Sequence, residues 1–178
     1  MHYTLCDLFA DLTQNSVDAK ATYITVEILE TKRDITVYIR DNGIGMNKKT
    51  LKQATDPFYT DGIKHPKRKI GLGIPFLIQT ANETAGEWNI TSEENIGTTI
   101  FAKFNTENID TPPVGDIPSF FRQILTFNGN YEMKIVRSKP NNSYVLLRSE
   151  LIDALGNLET VSSLSLLGDF LTSQEEDE

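Results

Sequence analysis

In Asp41-Asn42-Gly43-Ile44-Gly45-Met46 an acidic residue is followed by two glycines two positions apart. The preceding run DITVYIR, residues 34–40, alternates β-branched with polar residues and predicts a strand, so the aspartate stands at a strand end. Glycines at that spacing allow a tight turn with backbone angles that side chains oppose, and they let a flat ligand approach the main chain. A carboxylate there can accept a hydrogen bond from an amino group of such a ligand, a charge-assisted bond of about 1.5–3 kcal/mol net. Taken alone, the segment is equally an ordinary Asp-Asn-Gly turn.

Upstream, Tyr3 to Lys20 predicts a helix, with Leu5, Leu8, Phe9, Leu12 and the Ser16 position forming one stripe at three- and four-residue spacing. Asp11 and Asn15, four apart, share another face. A carboxylate and a carboxamide so placed can polarise a water and ligate a hard cation; magnesium takes oxygen ligands and often only one or two from protein. The same pair also suits a plain solvated face. TYITVEIL at 22–29 predicts a strand, and Thr31-Lys32-Arg33 a hairpin turn into 34–40.

Downstream, residues 46–70 are polar, basic and proline-punctuated, with a short helix near 47–54. A loop this long in a small domain is more often functional than structural. In Lys69-Ile70-Gly71-Leu72-Gly73-Ile74-Pro75, glycines lead into a helix over 74–83 whose first turn suits Pro75. Free amides and the helix dipole at such a start favour phosphate. The segment lacks the Gly-Lys-Ser/Thr ending of a P-loop, and the third glycine and preceding strand of a dinucleotide-binding turn. Glu87 to Ser92 and Thr98 to Phe104 predict two strands about the turn Asn95-Ile96-Gly97.

The order of these segments resembles the GHKL superfamily of Bergerat-fold ATPases, which includes histidine kinases, gyrase-type topoisomerases and MutL proteins, across roughly residues 3–104. NSVDA looks like the N-box, DNGIGM like the first glycine box, DPFYTDG and KIGLGIPFLIQTA like the lid and second glycine box of histidine kinases, and IGTTIFAKF like the closing Gly-Thr strand. The resemblance implies an α/β two-layer sandwich that binds ATP and Mg2+. Asn15 would ligate the magnesium and Asp41 the adenine amino group, with Thr98 nearby. Gly43, Gly45 and Met46 would shape the adenine pocket; Gly71, Leu72 and Gly73 would bring amides to the phosphates. Lys64, Lys67, Arg68 and Lys69 are all candidates to close over the triphosphate, with Phe58 packing the lid. Asp11 stands where hydrolytic members usually carry Glu as the base that activates water. It is one methylene shorter, and general-base catalysis needs close geometry, which implies slow hydrolysis.

The implied activity is transfer of the γ-phosphate to a separate protein, or slowly to water, as in histidine-kinase modules and anti-sigma-factor kinases. The alternative is a non-catalytic ATP-dependent switch whose lid and C-terminal segment recruit a partner. Neither histidine, His2 or His65, sits in a His-Glu or His-Asp pair on an amphipathic helix, so no phospho-accepting histidine is expected here.

The expected organisation is an ATP-binding domain over 1–104, a Pro- and Gly-rich connector over 105–115, a C-terminal α+β extension over 116–172 and a disordered acidic tail over 173–178. In the extension, Asp116 caps a helix over Ile117–Phe127, 131–137 and 143–148 predict strands, and 150–155 and 158–171 predict weaker helices. These strands either extend the sheet or form an accessory layer. The segment is too apolar, with Phe120, Phe121, Ile124 and Leu125, for a floppy tail; it either completes the core or docks a partner. A net charge of −8 argues against nucleic acid as the main partner. No apolar run of membrane-spanning length and no secretory leader pattern is present, so the expectation is a cytoplasmic chain without membrane contact, with a homodimer left open. Cys6 is the one cysteine, excluding an intrachain disulfide.

Overall fold

The computed structural model describes residues 4–56 and 72–176. The elements run α1 Leu5–Asp18, β1 Tyr23–Glu30, β2 Asp34–Asp41, α2 Lys48–Thr55, α3 Gly73–Glu83, β3 Glu87–Glu93, β4 Gly97–Asn105, α4 Ile117–Leu125, β5 Glu132–Ser138, β6 Ser143–Leu147, α5 Arg148–Leu155 and α6 Val161–Glu175. The six strands among the described residues form one sheet in the order β3-β4-β2-β1-β5-β6. Every pairing is antiparallel except β1 with β5, which is parallel. The mixed sheet and the α/β two-layer arrangement agree with expectation, and 132–138 and 143–147 extend the sheet.

Period-two burial explains the layers. Ile24, Val26 and Ile28 of β1, Ile35, Val37 and Ile39 of β2, Ile100, Ala102 and Phe104 of β4, and Met133 and Ile135 of β5 are all buried on one face. The helices close that face with Leu5, Leu8, Phe9 and Leu12 of α1, Leu77 and Ile78 of α3, and Phe120, Phe121 and Ile124 of α4, in one continuous core. Several helix starts have a local cause. Thr4 and Asp7 form a reciprocal capping box on α1. Asn47 caps α2, and Asp116 caps α4, whose Pro118 lies in the first turn.

The acidic tail departs from expectation. Residues 173–175 belong to α6 rather than to a disordered end. The cause is Arg137 on β5, whose side chain is only 2% exposed. Its guanidinium pairs with Glu30 of β1 at 2.5 Å and with Glu175 of α6 at 3.0 Å. Tyr144 donates its hydroxyl to Glu175, and Lys139 donates to the Glu175 carbonyl at 2.7 Å. Two cations thus meet two carboxylates, and a buried arginine demands such partners.

Candidate functional site

The loop after β2 is fastened on both sides. Asn42 accepts from the N–H groups of Thr22 and Tyr23, each at 2.9 Å, and donates to the Thr22 hydroxyl, tying the loop to the start of β1. Ile44 donates its N–H to the Ala19 carbonyl after α1, and its own carbonyl accepts from Asn95 in the β3–β4 turn. Gly45 has φ +61°, and a Cβ there would lie 1.9 Å from the Glu93 carbonyl oxygen. Gly97 has φ +143°, and a Cβ there would lie 1.9 Å from the Asp41 carbonyl oxygen. Any side chain at either place would drive the loop off the hairpin.

This framework fixes Asp41. One carboxylate oxygen accepts from the Ser16 hydroxyl at 2.7 Å and the other from the Gly43 N–H at 2.8 Å. Each oxygen has two lone pairs, so acceptor capacity remains on both. Beside Asp41 in register stands Thr98 on β4, and beside Thr98 stands Ser92 on β3. The three make a polar row on the helix-covered face, with Ser92 and Thr98 hydroxyls 2.8 Å apart. The Met46 N–H donates to Ser92 at 2.8 Å, and the Met46 side chain packs partly buried against the core.

The same helix that supplies Ser16 carries Asp11, exposed, and Asn15, half-buried. Gly73, the first residue of α3, is pressed onto this face. A Cβ on it would lie 3.3 Å from a Leu12 methyl, 3.6 Å from Asp11 Cβ and 3.7 Å from the Asn15 amide nitrogen. Leu72, 68% exposed, occupies the cap position of α3 and makes no side-chain capping bond. The first N–H groups of a helix have no intrahelical partner, and those of Gly73 and Ile74 begin α3 beside Asn15. The Asn15 carboxamide has no hydrogen-bond partner among the described residues. Its oxygen is a hard donor of the kind magnesium takes, so this position fits that ion. No group of three or more His, Cys, Asp or Glu suited to a metal occurs among the described residues. A shallow groove between α1 and α3 at Thr4, Leu8, Phe76 and Glu83, and another between α4 and α6 at Pro118, Arg122 and Asp169, lie apart from this constellation.

The family model for histidine kinase-, DNA gyrase B- and HSP90-like ATPases matches residues 3–108. The chain belongs to that family. Among its relatives, Sporulation kinase C of Bacillus subtilis (strain 168) is 30% identical over 95 residues, covering 52% of this chain and 21% of the kinase. Sporulation kinase E of the same organism is 30% identical over 98 residues, covering 53% of this chain and 13% of that protein. Sensor protein RprX of Bacteroides fragilis (strain YCH46) is 30% identical over 104 residues, covering 55% and 20%. The chain thus spans about a fifth or less of the length of these relatives. The nucleotide-free catalytic domain of histidine kinase ThkA aligns with 21% identity and a TM-score of 0.41, over 60% of this chain and 66% of that one.

Of the positions expected from the GHKL resemblance, Asp11, Asn15, Asp41, Gly43, Gly45, Met46, Leu72, Gly73 and Thr98 are described and gather around the C-terminal half of α1. Lys69 and Gly71, with Phe58, Lys64, Lys67 and Arg68, lie outside the described residues. Three site residues escaped sequence reasoning in this role. Ser16 occupies the apolar stripe of α1 and is 2% exposed, yet it is there to hold Asp41; a serine among leucines signals a buried partner. Asn42 is a turn residue that staples β1. Ser92 has no local marker, only its place in the inward phase of β3 two residues after Ile90. No helix among the described residues is long and apolar enough to cross a membrane.

Proposed function

We propose that this chain binds Mg-ATP between α1, the row Asp41-Thr98-Ser92 and the start of α3, and delivers the γ-phosphate to a separate protein or, slowly, to water. One observation carries this: Ser16 of α1 holds the half-satisfied carboxylate of Asp41 at the end of β2, while its neighbour Asn15, a carboxamide with no described partner, lies against the uncapped start of α3. Asp41 would take the adenine amino group, while Gly43, Gly45, Met46 and Thr98 shape the space around the base. Leu72 and Gly73, with Gly71 and Lys69, would receive the phosphates at the α3 N-terminus. Asn15 would hold the magnesium, which when bound neutralises phosphate charge. Asp11, one turn before Asn15, would orient the attacking group.

A switch that binds ATP without turning it over is the second reading, favoured by Asp11 having one methylene fewer than the glutamate of hydrolytic relatives. The two separate by calorimetry with Mg-ATP and a non-hydrolysable analogue, with ADP formation followed in the same samples. Binding with steady ADP release supports an ATPase. Binding without it supports a switch, or a kinase awaiting its acceptor. Absence of binding refutes the nucleotide site.

A further inference from the structure

We infer that Ser92 sets the base preference of this site by fixing the direction of a single hydroxyl; the inference rests on the nucleotide reading above. A serine hydroxyl has one proton and two lone pairs. Ser92 Oγ makes three contacts. It accepts from the Met46 N–H at 2.8 Å, donates to the Gly97 carbonyl oxygen at 3.1 Å and lies 2.8 Å from Thr98 Oγ1. All three can be satisfied at once in only one way. The Ser92 proton goes to Gly97, and Thr98 donates its own proton to the second Ser92 lone pair. The reverse direction, with Ser92 donating to Thr98, gives up the bond to the Gly97 carbonyl.

Thr98 has therefore spent its only proton within the floor of the site and offers lone pairs alone. Asp41, its partner in the β2–β4 register, is a carboxylate whose two oxygens already accept from Ser16 and Gly43, and it too offers lone pairs to a ligand. Two neighbouring acceptors with no donor between them fit a base bearing an amino group, which carries two protons. They oppose a base bearing a carbonyl in its place, since that oxygen would face acceptors only and stay unpaired in a partly dry site. Ser92 is a positioning residue: it touches Thr98 and the glycine loop rather than the base.

The test compares dissociation constants for Mg-ATP and Mg-ITP, inosine triphosphate having a carbonyl where adenine has its amino group. The proteins are the full chain, Ser92→Ala, Ser92→Thr, Thr98→Val and the Ser92→Ala/Thr98→Val double variant, with folding checked by circular dichroism. The unmodified protein is expected to prefer ATP at least about tenfold. Ser92→Ala lets the Thr98 hydroxyl turn and donate to the carbonyl, so the preference falls about three- to tenfold. Ser92→Thr keeps the hydroxyl and the preference. In the Thr98→Val background Ser92→Ala leaves the preference unchanged, because the residue acts through Thr98. Equal losses for both nucleotides in Ser92→Ala, or independent effects in the double variant, would overturn the inference. Should Ser92→Ala not fold, Thr98→Val alone decides: a preference as strong as in the unmodified protein overturns the inference. Wild-type protein that binds ATP and ITP alike overturns it while leaving the nucleotide site standing. Failure to bind either one removes the site itself.

Discussion

Two polar clusters lie under the helices of this sheet, one at the β2–β4 end and one at β5–β6, and they are completed differently. Around Arg137 opposite charges are paired with one another: the guanidinium meets Glu30 and Glu175, and Glu175 also takes the Tyr144 hydroxyl and pairs with Lys139 at 3.8 Å. Around Asp41 each carboxylate oxygen has one partner and keeps a lone pair, and Asn15 next door has none described. A closed cluster anchors an element; an open one waits for a ligand. The contrast separates the part of the molecule that holds α6 from the part proposed to receive nucleotide.

Arg137→Ala tests the closed side and should have the largest effect. Removing one partner of a buried charge cluster costs about 3–5 kcal/mol, read as a lower urea midpoint, while the protein that remains folded binds ATP within about twofold of normal. An unshifted midpoint would mean that the cluster does not hold α6. On the open side, Asp41→Asn replaces an acceptor-only group with one that can present a misdirected donor. ATP affinity should fall by about 1.5–3 kcal/mol, or roughly 10- to 150-fold, with less than about 1 kcal/mol change in stability. Normal affinity would end the assignment of Asp41 to adenine. Asn15→Ala should weaken Mg-ATP about tenfold and magnesium-free ATP much less; equal losses would deny Asn15 the metal.

The smallest effect at ordinary pH comes from protons. Burial, and next the Asp7 and Asp116 carboxylates, push the Cys6 thiol from 9.0 up to about 12. Burial, and next the bond to Glu175, raise the Tyr144 phenol above its usual 10. Both groups hold their protons more tightly folded than unfolded, so their contribution is complete below pH 9 and is lost as pH climbs toward 12. Denaturation midpoints should be level up to pH 9 and fall beyond it, less steeply in Cys6→Ala. A level midpoint through pH 11 would contradict the burial of both groups.

The open cluster was largely legible in the sequence because its parts are local: a strand-end aspartate with its glycines, and a carboxylate and carboxamide one helical turn apart. What could not be seen is how they are joined. Ser16 reaches Asp41 across 25 positions, and Ser92 reaches Met46 across 46. The closed cluster was missed because Glu175 sits in an acidic run that looks like a solvated end, with its partner 38 positions earlier. A clue was present. Arg137 continues the inward phase of Met133 and Ile135, and an arginine there must find a carboxylate.

The parallel pairing of β1 with β5 bears on how the chain is born. Residues 3–108, the span matched by the family, end before β5 exists. During synthesis, β1 with its run YITVEILE is an open edge until residues 132–138 leave the ribosome, and a long apolar edge is a template for pairing with other chains. A fragment trimmed to the family boundary would keep that edge for life and would aggregate, although every residue of the Asp41 and Asn15 constellation is on it.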